Sequence, residues 1–385
     1  MMFAPEEDRM FAGRFVAPRH VAAVGAAVLL LAASLSSAAW VSRHQAPAAE
    51  TAVFPGAEWE RIADPESVGF CQAGLDEATA HVRTLTTTGA IAIVGGRVLW
   101  EYGDLTAVSY LASVRKSILA MLYGKYVDSG QIDLGATLKE LSINDHQGLL
   151  DSELEATVYD LLTAPSGVYH PAANAASTAG GSTVGEAPER GTVPHGTYFL
   201  YNNWDFNALG TIFEQETGLG IYDVFERDLA EPLGMREFDR DRHRRNGNAN
   251  RSQHLAYHFH LSTRDMARIG YLMLREGTWD GREVIAPEWA RRIAQSITPV
   301  AEMNPSSYRQ GPFGYGMLWW IWDGPWNDGV YRGAYTGIGA IGQYITVLPA
   351  LDMVVVHKTR QGQEAVSRSD YLGIVDRLGA ARCGF

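Results

Sequence analysis

Strand-forming patterns occur near the two ends of this chain, and the long stretch between them has mostly helical patterns. Near the N-terminal end, residues 90–94 and 97–101 are strand-like runs joined by two glycines, which is typical of a β-hairpin. Near the C-terminal end, residues 343–348 and 353–358 also have strand patterns. Such a chain closes one sheet from both of its ends. The predicted fold class is therefore α/β (α+β), with a central antiparallel sheet flanked by helices and a large, mostly helical insertion.

Helical patterns fill most of the remaining chain. Apolar residues recur with helical spacing at 75–85, 117–127 and 365–378. The length of 385 residues suits one large domain or two modest ones, and no internal repeat divides it. We predict one domain over residues 61–385, in which residues from about 112 to 296 form a helical subdomain.

The two cysteines lie beside the predicted first and last helices. Cys71 precedes the first helix and Cys383 follows the last one. A sheet closed from both ends brings these helices together, so we expect a disulfide in an oxidising compartment. Two unpaired, buried cysteines are the alternative. Two cysteines are too few for a disulfide-rich scaffold or a zinc ribbon.

The N-terminal region has the pattern of an export signal. Residues 21–41 are uncharged and rich in Ala, Val, Leu and Ser, and they follow Arg14 and Arg19. We predict that residues 1–42 are a signal peptide or an inner-membrane anchor, and that residues 43–60 are a linker. The domain is then exported to the periplasm or another extracytoplasmic space, either soluble after cleavage or anchored to the cytoplasmic membrane.

The charge of the chain limits its partners. Lys and Arg total 32 against 44 Asp and Glu, which gives a net charge of −12. This balance argues against nucleic acid and anionic membrane surfaces as partners. The basic residues are nearly all Arg, since the sequence holds four lysines. Each lysine therefore carries more information about the chemistry of the chain.

One of these lysines, Lys116, stands three residues after Ser113 at the start of an apolar helical run. Residues i and i+3 lie on the same side of a helix, so the hydroxyl and the amine can meet. A serine hydroxyl is a poor nucleophile until a neighbour takes its proton. A lysine can do so where burial and a helix N-terminus lower its pKa. This spacing also arises by chance, and the apolar helix that follows strengthens the assignment.

Tyr201 is the only one of 17 tyrosines with Asn two residues later, at Asn203. A tyrosine near a lysine can carry a proton to the leaving group. The Asn203 amide can hold Lys116 or a substrate carbonyl. The alternative is a loop pair with structural hydrogen bonds.

Residues 337–343 form a glycine-rich run that leads into the strand pattern at 343–348. Small residues at a strand let another backbone or a ligand come close. A backbone N–H here can pair with the Ser113 N–H as an oxyanion hole. A glycine-rich turn into an edge strand is the alternative.

These three pieces, in this order, resemble the serine β-lactamase-like (penicillin-binding-protein-like) hydrolases. That group includes class C β-lactamases, family VIII esterases, D-amino-acid peptidases and 6-aminohexanoate-dimer hydrolases. The resemblance extends over residues 62–378. It implies that Ser113 is acylated, that Lys116 is the motif lysine, and that Tyr201 and Asn203 are the Tyr-x-Asn pair.

The third motif of the group is usually Lys/His-Thr-Gly, and the matching residues here are 337–339, Gly-Ile-Gly. The resemblance implies that the next residue, Ala340, supplies the second oxyanion N–H. The run Gly-Ala-Ile-Gly-Gln at 339–343 looks like the amide-hydrolase branch around 6-aminohexanoate-dimer hydrolase. Since the cationic side chain is missing, recognition of a β-lactam carboxylate is less favoured than ester or amide hydrolysis.

Four further residues are candidate substrate contacts: Tyr198, Gly339, Gln343 and His170. Tyr198 lies three residues before Tyr201, and Gln343 follows the glycine-rich run, where a structural role is the alternative. His170 borders a loop of small residues, where a solvated histidine is the alternative. The tryptophan cluster at 319–326 has a composition more typical of core, although one of its rings could form an apolar wall of the cleft.

Other catalytic patterns are weaker. His254, His258 and His260 have no HExxH-type acidic partner, so we expect a packed or surface histidine cluster and no metal. Residues 163–167, Thr-Ala-Pro-Ser-Gly, lack the first glycine of a nucleophile elbow.

The sequence thus predicts an exported serine hydrolase that cleaves an ester or small amide through an acyl-enzyme on Ser113. No cofactor, metal or obligate protein partner is expected, and the partner is a small-molecule ester, amide or peptide-like substrate. Two alternatives remain. One is a penicillin-binding-type sensor of the cell envelope that acylates slowly or not at all, and the other is a true β-lactamase.

Overall fold

The computed structural model describes residues 52–174 and 187–384. Its β-strands are β1 (Thr87–Val94), β2 (Arg97–Gly103), β3 (Ser109–Tyr110), β4 (Arg244–Asn246), β5 (Ala256–His258), β6 (His260–Leu261), β7 (Thr278–Trp279), β8 (Arg282–Glu283), β9 (Phe313–Tyr315), β10 (Trp320–Trp322), β11 (Tyr335–Gly339), β12 (Gln343–Leu348) and β13 (Met353–Thr359). Its α-helices are α1 (Gln72–Val82), α2 (Val114–Asp128), α3 (Asp151–Leu154), α4 (Val158–Thr163), α5 (Asn203–Thr217), α6 (Ile221–Phe225), α7 (Glu231–Leu233), α8 (Thr263–Leu274), α9 (Pro287–Ile293) and α10 (Arg368–Ala380).

A seven-stranded antiparallel sheet joins the two ends of the chain. Its strand order is β2-β1-β13-β12-β11-β10-β9, so the N-terminal hairpin pairs directly with the last strand. The predicted class, with one antiparallel sheet closed from both ends and flanked by helices, is confirmed. The predicted hairpin and the two C-terminal strands are all present in this sheet.

Both faces of the sheet are covered, which explains why β13 begins with four successive apolar residues and is buried along its whole length. Successive side chains of a strand point to opposite faces. On one face α8 packs so closely that a β-carbon at Gly270 would lie 2.9 Å from Ile345 and 2.5 Å from Val354. On the other face the α10 residue Tyr371 donates its hydroxyl to Thr346, at 2.6 Å. The sheet is therefore the middle of three layers.

The structure decides between the two interpretations of the glycine-rich run, a strand that allows close approach and a turn into an edge strand. Residues 337–339 are not a turn but the end of β11, and only residues 340–342 connect it to β12. β12 is also an interior strand, lying between β11 and β13. Glycine fits a strand here because α2 packs directly against this part of β11, as the site shows below.

The two ends of the domain are joined covalently. Cys71 and Cys383 form a disulfide with their Cα atoms 5.1 Å apart, as predicted. Beside it, the Cys71 N–H donates to the Ala381 carbonyl at 2.7 Å, which links the start of α1 to the end of α10.

The N-terminal predictions fall mostly outside the part of the chain that the structure describes. The apolar run at 21–41 and the first part of the linker lie there. Residues 52–60, the rest of the predicted linker, instead pack on the domain, since Trp59 is buried and the Val53 carbonyl accepts from Tyr271 at 2.9 Å. The aromatic rings of this segment explain the difference, because they bury apolar surface that an Ala/Pro-rich linker lacks. Within residues 52–174 and 187–384, no helix is long and apolar enough to cross a membrane.

Candidate active site

Ser113 lies at the N-terminus of α2, and the backbone just before it is fixed by a hydrogen bond. Ahead of it, the Leu111 N–H donates to the Phe259 carbonyl at 3.0 Å, next to the pairing of β3 with β6. Between them, Ala112 has a φ of +48°. A non-glycine residue in this region costs about 1–3 kcal/mol and is typical of functional sites. The nucleophile candidate is therefore presented by a strained, fixed backbone.

The Lys116 amine connects two other predicted catalytic side chains, Ser113 and Tyr201. Lys116 is 1% exposed, and its Nζ donates to Ser113 Oγ at 2.7 Å and to Tyr201 Oη at 2.6 Å. Burial lowers the pKa of Lys116 well below its ordinary value, and the neighbouring Arg115 guanidinium lowers it further. A buried amine in this state is neutral more readily than a surface lysine, so it can accept the proton of a serine hydroxyl.

Tyr201 is fixed just before α5. The side chain of Asn202 accepts from the Trp204 N–H as the N-cap of that helix, at 3.1 Å. The Tyr201 ring packs 4.8 Å from Phe206 and 5.2 Å from Trp320 between ring centroids. Burial raises the pKa of Tyr201, against a smaller lowering by its hydrogen bond with Ser113. The phenol therefore keeps its proton at neutral pH, which leaves Lys116 as the base of the pair.

Asn203 lies beside these groups but is not seen to hold Lys116. Its side-chain oxygen is buried, and no hydrogen-bond partner for that oxygen exists among the residues described. Asn203 contributes to the lining of the cavity in front of Ser113. Its position suits contact with a substrate better than the expected contact with the lysine.

The opposite side of the site is made of backbone. A β-carbon on Gly339 would overlap the Leu111 carbonyl oxygen, and one on Gly337 would lie 3.2 Å from Ser117 Oγ. These two glycines therefore let β11 approach the start of α2, as small residues in a strand predict. The approach brings the turn that begins at Ala340 to the same cavity as Ser113. We call Ser113, Lys116, Tyr201 and Asn203 the helix wall, and residues 339–342 the sheet wall.

The cavity between the two walls has a volume of about 670 Å³, which is sufficient for a small organic substrate. It is lined by Tyr110, Ala112, Ser113, Asn174, Tyr201, Asn203, Trp320, Ile338, Gly339, Ala340, Ile341, Gly342, Tyr344, Glu364, Ala365, Val366, Ser367 and Arg368. Of the nine predicted site residues, Ser113, Tyr201, Asn203, Gly339 and Ala340 reach this lining. Lys116 lies beneath it, bonded to two of them.

Three predicted substrate contacts do not line the cavity: Tyr198, Gln343 and His170. Gln343 is buried at the start of β12, where its amide nitrogen donates to the Ile341 carbonyl at 3.3 Å. It supports the turn, in line with the structural alternative. Tyr198 is half-buried outside the lining.

His170 is a correction. It is neither solvated nor at the cavity, since it is buried and its two ring nitrogens contact the backbone carbonyls of Pro171 and His146, at 3.0 and 2.8 Å. Buried polar groups are placed where they can be hydrogen-bonded, and the chain nearby offers these two oxygens.

Several lining residues were not singled out by the sequence. Trp320, from the tryptophan cluster whose composition favoured core, supplies an apolar wall, which was the alternative. Arg368 and Glu364 bring charge to the cavity from the start of α10 and the segment before it. Tyr110, three residues before Ser113, carries the one available sequence signal: an aromatic residue next to the nucleophile.

The three histidines considered for a metal are packed in other ways. His258 and His260 contact the Tyr110 ring, with centroids 4.8 and 5.8 Å apart. His254 is buried between Thr211 and the Asn144 carbonyl, each at 2.9 Å. Within the described ranges, three side chains of the metal-ligand type lie close together. Two of them are the disulfide cysteines, whose sulfurs are already bonded to each other.

Comparison with known proteins identifies the family and agrees with the fold. The sequence model of the family named Beta-lactamase matches residues 80–376. Among solved structures, a Bacillus anthracis protein provisionally assigned as a 6-aminohexanoate-dimer hydrolase matches with a TM-score of 0.58 and 19% identity, covering 78% of this chain and 79% of that one. EstCE1, a hydrolase with promiscuous acyltransferase activity, matches with a TM-score of 0.58 and 15% identity, covering 82% and 99%. A penicillin binding protein from Bacillus halodurans matches with a TM-score of 0.56 and 15% identity, covering 78% and 99%. At these identities the structural likeness shows the fold.

Proposed function

The chain belongs to the Beta-lactamase family and has its hydrolase fold, and from that premise we propose that it is a serine hydrolase that cleaves an ester or a small amide through an acyl-enzyme on Ser113. The observation that carries the proposal is the Lys116 amine, which lies within hydrogen-bond distance of both the Ser113 and the Tyr201 hydroxyl oxygens. This contact supports the proposed roles of Ser113 as nucleophile, Lys116 as base and Tyr201 as proton carrier.

In the proposed reaction, Ser113 Oγ attacks the substrate carbonyl carbon while Lys116 takes the hydroxyl proton. The carbonyl oxygen becomes an oxyanion, held by the N–H groups of Ser113 and Ala340. Tyr201 passes a proton to the leaving alcohol or amine as the carbonyl–leaving-group bond breaks. Water then attacks the acyl-enzyme, gives its proton back through the same groups and releases the acid.

The substrate proposal follows from the lining of the cavity. Trp320, Tyr110, Ile338 and Val366 present apolar surface, which favours an acyl group or leaving group of moderate size. The strand motif lacks the cationic side chain that binds an acid in the related hydrolases, so a neutral ester or small amide is the first candidate.

A second candidate, a substrate with a carboxylate such as a β-lactam, is favoured by Arg368. Its guanidinium borders the cavity and lies 5.7 Å from the Trp320 ring centroid. A cation at this place can bind an acid although the strand motif offers none.

Export remains part of the proposal. The apolar run at 21–41 and the Cys71–Cys383 disulfide both suit a protein of an oxidising compartment.

The test compares turnover of p-nitrophenyl butyrate and nitrocefin by the purified protein and by Ser113→Ala. Ser129→Ala, at the exposed C-terminal end of α2, is the matched control. We expect ester turnover that Ser113→Ala abolishes and Ser129→Ala retains. Turnover of nitrocefin instead would favour the second candidate.

An intact-mass measurement after ester exposure adds a readout that does not require turnover. A persistent adduct on Ser113 without product would favour the envelope sensor. Full hydrolysis by Ser113→Ala would refute the nucleophile assignment.

A further inference from the structure

The sheet wall holds a backbone conformation that its own residues do not favour. Ile341, in the middle of the turn, has a φ of +63° and a side chain that is 43% exposed. For a β-branched residue this conformation is a genuine outlier, and it persists only where the surroundings enforce it. Because Ile341 is exposed, packing of its own side chain is not what holds the turn. Contacts to its backbone must do so.

A buried histidine supplies such a contact from the other side of β12. His357 lies in β13, is fully buried, and faces the Gly342 carbonyl oxygen with Nδ1 at 2.9 Å. Its Nε2 lies 2.9 Å from Thr87 Oγ1 in β1. The Thr359 hydroxyl reaches the same Gly342 carbonyl at 3.4 Å, a weaker contact.

The partners determine the protonation of the ring. A carbonyl oxygen only accepts hydrogen bonds, so Nδ1 carries the hydrogen. Burial lowers the pKa of His357 to about 4, so the ring is neutral at neutral pH and Nε2 accepts from the Thr87 hydroxyl. The imidazole is thus a fixed link from β1 to the turn.

The linked carbonyl is close in sequence to the proposed oxyanion donor. Gly342 lies two residues after Ala340, and Gln343 holds the intervening Ile341 carbonyl at 3.3 Å. Two side chains therefore fix two successive carbonyls of a three-residue turn. The Ala340 N–H belongs to the peptide that follows Gly339 at the end of β11, so the two fixed carbonyl planes restrain it through the one peptide that lies between.

We propose that His357 is a positioning residue for the oxyanion hole, which holds the turn through the Gly342 carbonyl so that the Ala340 N–H points at the substrate carbonyl oxygen. This inference rests on the proposed function of Ser113 and Ala340. It assigns to a residue beneath the sheet wall, which does not line the cavity, a part in stabilising the transition state.

Two substitutions separate the two ring nitrogens. The amide nitrogen of Asn is one bond from Cγ, as Nδ1 is, so His357→Asn keeps the donor to Gly342 and loses the Thr87 contact. The amide nitrogen of Gln is two bonds from Cγ, as Nε2 is, so His357→Gln keeps the Thr87 side and loses the donor. We expect His357→Gln to lower kcat for the ester by about 10- to 100-fold with little change in KM, because the lost contact acts in the transition state. His357→Asn should stay close to wild type.

The matched control is His254, which is also buried between a threonine hydroxyl and a backbone carbonyl. His254→Asn and His254→Gln should lower the melting temperature and leave kcat unchanged. If His357→Asn and His357→Gln reduce kcat equally, the role of His357 is structural only and the proposal is overturned. An unchanged kcat in both would overturn it as well.

A second measurement keeps this proposal distinguishable from the proposed function. Amide hydrogen exchange of the segment containing residues 340–343 should accelerate in His357→Gln and stay as in wild type in His357→Asn. If Ser113→Ala shows that no turnover depends on Ser113, the proposed function fails while the exchange result still decides whether His357 holds the turn. Unchanged exchange in His357→Gln would refute that role directly.

Discussion

The helix wall and the sheet wall of the cavity carry out one proposed reaction by different means. The helix wall presents side chains whose hydrogen bonds converge on Lys116 Nζ. The sheet wall presents backbone groups, and its first residue is a glycine whose missing side chain lets β11 reach the start of α2. The helix wall therefore depends on the side chains that it carries, and the sheet wall depends on the absence of a side chain at its first residue.

This difference predicts how substitutions affect each wall. In the helix wall, removing a side chain removes a reacting group and leaves the backbone in place. In the sheet wall, adding a side chain displaces a backbone donor and leaves every reacting side chain intact. The two kinds of substitution should therefore have different effects on stability and on catalysis.

The largest effect is expected for Lys116→Met. This change keeps a side chain of similar length and removes the base, so kcat/KM for the ester should fall by about 10³-fold or more. The melting temperature should stay the same or rise, because folding no longer has to desolvate an amine. Steady-state kinetics and thermal unfolding of the same preparations measure both effects.

The control for this variant is Lys125→Met on the same helix. The side chain of Lys125 is 64% exposed and forms a long ion pair with Asp228, at 3.4 Å. It should retain wild-type kinetics. A Lys116→Met protein that keeps its activity would show that the helix wall does not work through a lysine base.

A smaller loss of activity is expected for Gly339→Ala in the sheet wall. The new methyl group would overlap the Leu111 carbonyl oxygen, so β11 and the Ala340 N–H must move away from Ser113. A displacement of about 1 Å can cost about 10²-fold in rate. Overpacking should also cost about 1–3 kcal/mol of the free energy of unfolding.

Gly337→Ala is the matched control in the same strand. Its methyl group would lie 3.2 Å from Ser117 Oγ and 3.4 Å from the Trp319 ring, which small movements can relieve. Its rate loss should therefore be smaller than that of Gly339→Ala. Equal losses in both variants would mean that general packing of β11, and not the position of the sheet wall, controls the rate.

The two walls also differed in how far the sequence predicted them. The Ser113–Lys116 spacing follows from helix geometry, and both hydrogen bonds of the lysine are present in the structure. The resemblance to known hydrolases implied a backbone donor at Ala340, which the structure brings to the cavity. Composition alone left residues 337–339 open between a strand that allows close approach and a glycine-rich turn. Glycine is typical of turns, and only the packing of α2 on β11 shows that its role here is close approach.

Residues that reach the cavity from distant segments had no local signal. Arg368 comes from the start of α10, and its direction depends on how that helix crosses the sheet. His170 was a candidate substrate contact because it borders a loop of small residues, and the structure instead buries it against backbone carbonyls. Local patterns therefore identified reacting groups, while the surrounding surface depended on tertiary packing.

The smallest of the expected effects is a difference between the two walls in the pH dependence of kcat/KM. Lys116 must be neutral to act as a base, and burial sets its pKa well below the ordinary value of 10.5. On the acid side of that lowered pKa, kcat/KM should fall about tenfold per pH unit as the amine is protonated. The atoms of the sheet wall that act are backbone amides, which do not titrate. Gly339→Ala should therefore give a pH profile parallel to that of wild type, at a lower rate.

The same ionisation has a defined sign in stability. Between the lowered pKa and 10.5 the unfolded chain binds a proton that the folded protein does not, so the free energy of unfolding due to Lys116 falls as pH falls through this window. Lys116→Met should remove that part of the slope, measured as the difference from wild type in denaturant titrations across pH.

The control for the kinetic pH dependence is Glu364, which also borders the cavity. Glu364→Gln should leave the acid limb of kcat/KM in place. The acid limb of kcat/KM should lie at the same pH in Gly339→Ala and in wild type. A shift of this limb in Gly339→Ala would place the titrating group in the sheet wall, and the division between a side-chain wall and a backbone wall would be wrong.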